Sequence, residues 1–157
     1  MYSINVESVF QKEVEQLIAA LDAYQHALYP AESNHCTDLT SLDGEKLIFM
    51  VIRDRAGVAV GCGAILVDSA NRVGEVKRIY IDERHRGQRL GEKLLAVLEQ
   101  EALQQSCRLL RLETGIKQHG AITLYQRQGY QLIEAFAPYK PDPLSLFMAK
   151  DLPPVKL

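Results

Sequence analysis

The sequence predicts an α/β or α+β sandwich built on a mixed sheet. Three observations point there. Apolar runs separated by tight turns, the mark of hairpins, fill the first half of the chain. Strand–helix–strand crossovers fill the second half, and the strongest helical pattern follows a short basic loop at the end of a strand.

In chain order, residues 2–7 read as a short strand. Ser8 stands where a helix N-cap belongs, with Gln11 placed to complete a capping box. Val14, Leu17, Ile18 and Leu21 follow at helical spacing, which predicts a first helix to about His26. From 29 to 43 the pattern is irregular and polar, a loop with room for one short helix. The run 47–52 is a buried strand; 53–57 turns, and 58–67 pairs back as the second arm of a hairpin. Gly61 and Gly63 interrupt that arm at alternate positions, which means either a bulge or a close approach by a ligand or another backbone.

Residues 71–74 turn into a strand over 75–81, followed by the polar, basic loop 82–88. Residues 89–106 carry the strongest helical pattern, with Leu90, Leu94, Leu95, Leu98, Ala102 and Leu103 on one stripe. A strand over 108–113 comes next, then a shorter helix over 118–128 ended by Gly129. Strands over 130–134 and 145–150 complete the order, joined by a proline-rich connection at 138–143.

The chain of 157 residues fits one domain, 1–157, with length enough to bury a core. Its formal net charge of -2 excludes a global field that would draw nucleic acid or an anionic membrane, so any positive patch is local. Cys36, Cys62 and Cys107 are odd in number and form no CxxC pattern, which argues against a disulfide framework and for a reducing compartment. His26, His35, His85 and His119 show no metal-ligand spacing, and no metal is expected. No apolar run approaches the roughly 18 residues of a membrane span, and the N-terminal residues lack the pattern of a secretory signal. The expected location is the cytoplasm.

The chemistry concentrates in the unit 75–91. A helix N-terminus presents unpaired N–H groups and a partial positive charge. Gly87 and Gly91 around that terminus let the backbone approach a phosphate, and Arg84, Arg86 and Arg89 add cationic side chains at the same end. Neither GxGxxG nor a P-loop occurs.

Arg86-Gly87-Gln88-Arg89-Leu90-Gly91 resembles the pyrophosphate-binding motif Q/R-x-x-G-x-G/A of the GNAT N-acetyltransferase superfamily. The preceding Val76-Lys77-Arg78-Ile79-Tyr80-Ile81 resembles that family's fourth strand. The segment from Ala121 through Leu124-Tyr125 to Gly129-Tyr130 is similar to its A-x-x-L-Y-x-x-x-G-F/Y helix. Together the three motifs cover about 58–152. There are two departures: Arg89 replaces the first glycine of the motif, and Gln118 stands where an asparagine often precedes the A-x-x-L-Y helix. With helical dihedrals at Arg89 its N–H would still face the phosphate.

The resemblance implies a mixed, mostly antiparallel sheet flanked by helices on both faces, with acetyl-CoA as co-substrate. Backbone groups of Ile79 and Ile81 would pair with the pantetheine arm as an added strand. Arg86, Gly87, Gln88, Arg89, Leu90 and Gly91 would hold the pyrophosphate, and Gln118 would take the asparagine's place beside the cofactor. A backbone N–H of Ile79 or Tyr80 is the candidate oxyanion donor. Glu75 matches a recurrent general-base position and is otherwise a carboxylate at a strand end. Tyr125 matches the tyrosine near the thioether sulfur, the usual general acid, and is otherwise a core tyrosine. The implied reaction is acetyl transfer to a primary amine of a small molecule or amino acid, by direct attack through a tetrahedral intermediate.

Acceptor recognition falls by the same resemblance to residues 24–42 and 136–144, which contain Tyr24, His26, Tyr29, His35, Phe136 and Tyr139. Asp22, Glu32, Asp38 and Asp43 are either a lure for a cationic acceptor or solvated loop acids. Two alternatives remain at this stage: a transferase acting on a protein or peptide, or a non-catalytic acyl-CoA-binding sensor. The 138–143 connection and the C-terminal residues 152–157 serve either a homodimer interface or a cap on the fold.

Overall fold

The computed structural model describes residues 1–30, Leu39 and 46–153. Their strands are β1 (Ser3–Val6), β2 (Leu47–Arg53), β3 (Ala59–Asp68), β4 (Val73–Ile81), β5 (Leu109–Gly115), β6 (Gln131–Ile133) and β7 (Ser145–Asp151). The helices are α1 (Lys12–Leu28), α2 (Leu90–Gln104) and α3 (His119–Arg127). All the strands join one sheet in the order β1-β2-β3-β4-β5-β7-β6. Every pairing is antiparallel except β4 with β5.

The two faces of the sheet are covered by different helices, as expected. Alternation along β2 sends Ile48, Met50 and Ile52 to the face under α2, where they pack with Leu90, Leu94, Leu95, Leu98 and Ala102. Phe49 and Val51 point the other way, against Val14 and Leu17 of α1. Leu94 and Leu98 are fully buried, each worth about 1.5–3 kcal/mol relative to an exposed side chain. Packing on the sheet, more than intrinsic propensity, therefore holds α2 in place.

The start of α1 departs from the sequence expectation. Gln11 takes the N-cap position and Lys12 is the first helical residue. Ser8 instead closes a local turn, its Oγ accepting from the Phe10 N–H at 3.0 Å. Arg53 explains the delay: its guanidinium donates to the Glu7 carboxylate and to Gln11 Oε1, and pairs with Glu13. Those bonds hold the 7–11 segment along the sheet edge before the helix begins. The Glu7 carboxyl sits below its usual range chiefly because of the hydrogen bond from Arg53.

Gly61 and Gly63 mark a close approach, and each has a bulge beside it: Val60 is the extra residue of β3 against Ile52 and Arg53, and the second bulge lies on β4 opposite Gly63. Cys62 pairs with Tyr80 and Ala64 with Lys77, so Gly63 alone faces Arg78 and Ile79. Arg78 adopts φ +55° there. A Cβ on Gly63 would lie 2.7 Å from Ile79 Cδ1 and 3.0 Å from Leu94 Cδ2. Gly63→Ala is expected to lower the unfolding free energy by about 1–3 kcal/mol through overpacking, measured by urea denaturation. An unchanged transition would mean that Ile79 and Leu94 yield at no cost.

Candidate functional site

Parallel pairing between β4 and β5 covers Val73–Glu75 against Leu109–Arg111 and then stops. Beyond that point the strands diverge. A cavity of about 80 Å³ opens in the gap, lined from β4 by Glu75 and Lys77, from α1 and its C-cap by Gln25 and Tyr29, from α3 and its N-cap by Tyr125 and Gln118, and from the β6–β7 connection by Tyr139. The divergence leaves the β5-facing edge of β4 without a strand partner over its last residues, so main-chain groups are available there to an extended ligand.

The bulge at Arg78 decides which side chains face the cavity. Glu75 and Lys77 lie on the α1 side of the sheet. One extra residue then reverses the alternation, so that Ile79 and Ile81 pack with the α2 core while Tyr80 joins the α1 cluster. Tyr80 thus faces away from Ile79 and Ile81, as alternation predicts. Arg78 folds against α1, its Nε 3.3 Å from Asp22 Oδ1. Asp22 accordingly serves an internal ion pair; Glu32, Asp38, Asp43 and His35 lie outside the described residues.

Glu75 is not a solvated strand-end carboxylate. Its side chain is 15% exposed; Oε2 accepts a hydrogen bond from the Tyr139 hydroxyl and forms an ion pair with Lys77 Nζ at 3.1 Å. Lys77 Nζ also donates to the Tyr139 hydroxyl at 2.7 Å. Burial, reinforced by Glu75, pushes the Tyr139 phenol far above its usual value, so it stays protonated and donating. Lys77 is a site residue the sequence reading passed over. The spacing Glu75-x-Lys77 carried the signal, since residues two apart on a strand share a face.

Tyr125 is 7% exposed, and desolvation raises its phenol well above the ordinary value. Its ring meets Tyr130 edge-on at 5.7 Å. It is both a core tyrosine and a wall of the cavity. Gln118 is the residue before α3; its Oε1 accepts the Gly115 N–H at 3.1 Å and closes the end of β5. Tyr29 packs across Gly115, its hydroxyl accepting the Lys117 N–H at 3.1 Å. Tyr24, by contrast, is largely exposed.

The basic loop brings its residues together less simply than the sequence suggests. A short 3-10 turn, Glu83–His85, precedes α2 and is capped by Asp82. Arg84 is exposed and paired with Asp82. Arg86 turns back, its Nε donating to the Ile81 carbonyl at 3.0 Å, so a ligand donor at that carbonyl meets the guanidinium. Gln88 donates weakly to the His85 carbonyl, and His85 shares a hydrogen bond with the Tyr2 hydroxyl. Gly87 has φ +81°. Arg89, expected to be helical, is instead left-handed at φ 59°, ψ 25° and forms the N-cap. That conformation suits glycine, which is the residue the motif usually has there. Leu90 is buried, and Gly91 serves packing: a Cβ there would lie 2.9 Å from Leu124 Cδ2 of α3.

Cys62 and Cys107 are buried and unpaired thiols. Among the described residues no helix is long and apolar enough to cross a membrane. No group of three or more His, Cys, Asp or Glu among them is placed to hold a metal ion.

The parted β4–β5 pair ends in a glycine-bearing turn at a helix N-terminus, where the motif resemblance puts the pyrophosphate site. The sequence model of the acetyltransferase (GNAT) family matches residues 9–130, and the chain belongs to that family. It is 48% identical over 146 residues to the IAA acetyltransferase of Azospirillum brasilense, covering 93% of this chain and 95% of that protein. A solved structure described as an acyl-CoA N-acyltransferase from Klebsiella pneumoniae superposes with a TM-score of 0.88 at 53% identity, covering 97% of this chain and 98% of the other. The PaiA N-acetyltransferase of Thermoplasma acidophilum, solved with coenzyme A, shares the fold at 15% identity and a TM-score of 0.71, covering 97% and 99%.

The left-handed backbone at Arg89 gives a testable consequence. Arg89→Gly is expected to leave stability equal or higher, whereas the β-branched Arg89→Val lowers it by about 1–2 kcal/mol. Thermal melts of the two variants make the comparison, and equal losses would contradict the assignment.

Proposed function

We propose that the chain is an acetyl-CoA-dependent N-acetyltransferase that moves an acetyl group to a primary amine of a small molecule or amino acid. The observation that carries this reading is the cavity at the β4–β5 divergence, where the carboxylate Glu75 and the phenol Tyr125 line one space. Family membership and the named acetyltransferase relative support it.

The residues fit the co-substrate. The edge of β4 at Ile79 and Ile81, which has no strand partner and whose Ile81 carbonyl is shared with Arg86 Nε, offers main-chain hydrogen bonds to the amides of a pantetheine arm. The turn through Arg86, Gly87, Gln88 and Arg89, with the first N–H groups of α2 at Leu90 and Gly91, offers donors to a pyrophosphate. Gln118, already bonded to Gly115, lines the cavity from the other side.

In the reaction Glu75 takes a proton from the acceptor ammonium, directly or through water, leaving a neutral amine to form the new C–N bond. The backbone N–H of Ile79 or Tyr80 donates to the carbonyl oxygen as negative charge develops there. Tyr125 donates to the sulfur as the C–S bond breaks, and the second proton of the attacking nitrogen passes to solvent, leaving a neutral amide and the CoA thiolate. A phenol raised above 10 is a weaker acid than a thiol near 8.5, so Tyr125 stabilises the thiolate by hydrogen bonding, and full proton transfer to sulfur is uphill.

The deciding experiment is thiol release from acetyl-CoA against amino acids, polyamines, aminoglycosides and short peptides, with calorimetric CoA binding alongside. Turnover on a small amine is the expected result. Binding without turnover on any acceptor would favour a sensor, and loss of CoA binding altogether would overturn the reading.

Tyr125→Phe is expected to slow single-turnover acyl transfer by about 10²-fold while leaving CoA affinity near wild type. Because burial raises the Tyr125 phenol, the donor stays protonated through neutral pH and beyond. No basic limb from Tyr125 should therefore occur in the turnover profile below about pH 10. A limb there that disappears in Tyr125→Phe would contradict this placement.

A further inference from the structure

Glu75, Lys77 and Tyr139 form a closed ring of two hydrogen bonds and one ion pair in the cavity wall. Two of its members share β4, and the third arrives 62 residues after Lys77 on the β6–β7 connection. Lys77 is 8% exposed. A cation and a carboxylate this far from water persist only when each has a fixed partner.

Tyr139 is itself held on several sides. Its ring contacts Phe136 at 5.3 Å and Phe147 of β7 at 5.9 Å, and Lys77 Nζ lies 5.5 Å from its centroid. Arg111, the register partner of Glu75 on β5, stacks over Phe136 at 4.3 Å and fixes the root of the connection.

The remaining charged and titratable groups around Glu75 have other engagements. Glu113 of β5 accepts from Ser145 Oγ at 2.6 Å. Arg78 is paired with Asp22 of α1. At the C-cap of α1 the hydroxyl of Tyr29 is turned to Lys117 N–H, and α3 contributes Tyr125 to the cavity wall.

We propose that Lys77 and Tyr139 are positioning residues for Glu75, fixing its carboxylate in one orientation in the cavity wall. This rests on the reading of Glu75 as the base. The division of labour is chemical: Lys77 supplies the compensating charge, and Tyr139 supplies a directional donor that burial keeps protonated. The β6–β7 connection thereby takes part in preparing the base as well as walling the acceptor site.

The test uses full-length protein labelled with ¹³C at the glutamate side-chain carboxyl, titrated by NMR, with Glu75→Gln to assign the Glu75 resonance. Lys77→Met removes the cation beside a sparsely exposed carboxylate, so protonation becomes easier. The Glu75 midpoint is then expected to rise by about 1–3 pH units relative to wild type. Tyr139→Phe removes one donor and keeps the ring packing, and should raise the midpoint in the same direction by about half to one unit. A residue that merely filled space would leave the midpoint where it is. Midpoints unmoved in both variants, with circular dichroism unchanged, would overturn the proposal.

Thiol release with the best acceptor of the amine panel separates this from the reading beneath it. Wild-type turnover in Glu75→Gln would remove Glu75 as the base and the proposal with it. Loss of turnover in Glu75→Gln with unmoved midpoints would reject the positioning roles alone.

Discussion

Three residues of parallel pairing, Val73–Glu75 against Leu109–Arg111, join the two parts of the sheet. On one side lies an antiparallel meander from β1 to β4; on the other lie β5, β7 and β6. Had the pairing continued, each strand would have satisfied the other's backbone and no slot would exist. Its early end leaves main-chain donors and acceptors facing a gap, and such groups require partners. Some are met internally, as where Gln118 accepts the Gly115 N–H. The others make the gap chemically suited to an extended, amide-bearing ligand. The cost of interrupting the sheet is offset elsewhere, in the closely packed α2 layer and the hairpins that tie β2, β3 and β4 together.

The bulge at Arg78 is the second constraint. It reverses the inside–outside alternation halfway along β4, so a single strand contributes polar groups to one face and Ile79 and Ile81 to the core of the other. The left-handed residue costs about 1 kcal/mol or more of backbone strain. Its side chain is held down by Asp22, and the Cys62 thiol lies 3.5 Å from its carbonyl. Gly63 on the facing strand makes room for the doubled partner. Strand geometry and site chemistry are thus set by the same local irregularity.

Much of this architecture was legible in the sequence because it depends on periodicity. The buried stripe of α2, the hairpin arms and the turn at Gly129 follow from local pattern, and the structure shifts their ends by only a residue or two. Ser8 failed as a cap because the competing bonds to the 7–11 segment come from Arg53, more than forty positions away, which no local rule sees. The bulge was hidden for a related reason: Glu75-Val76-Lys77-Arg78-Ile79-Tyr80-Ile81 alternates well enough to pass for an unbroken strand. Glu75 and Tyr125 were visible through motif resemblance, whereas the bond that joins Lys77 to Tyr139 exists only when the β6–β7 connection folds back over β4. Contacts of that sequence separation are set by topology.

The packing of Tyr29 on Gly115 has a consequence for how this chain tolerates change. The Tyr29 hydroxyl occupies the space that any side chain at position 115 would claim. The two positions therefore share one volume, although one ends a helix and the other ends a strand. Among descendants of this sequence, a larger residue at 115 becomes admissible only after position 29 has shrunk. The order of substitution is fixed by sterics, and the pair is expected to covary.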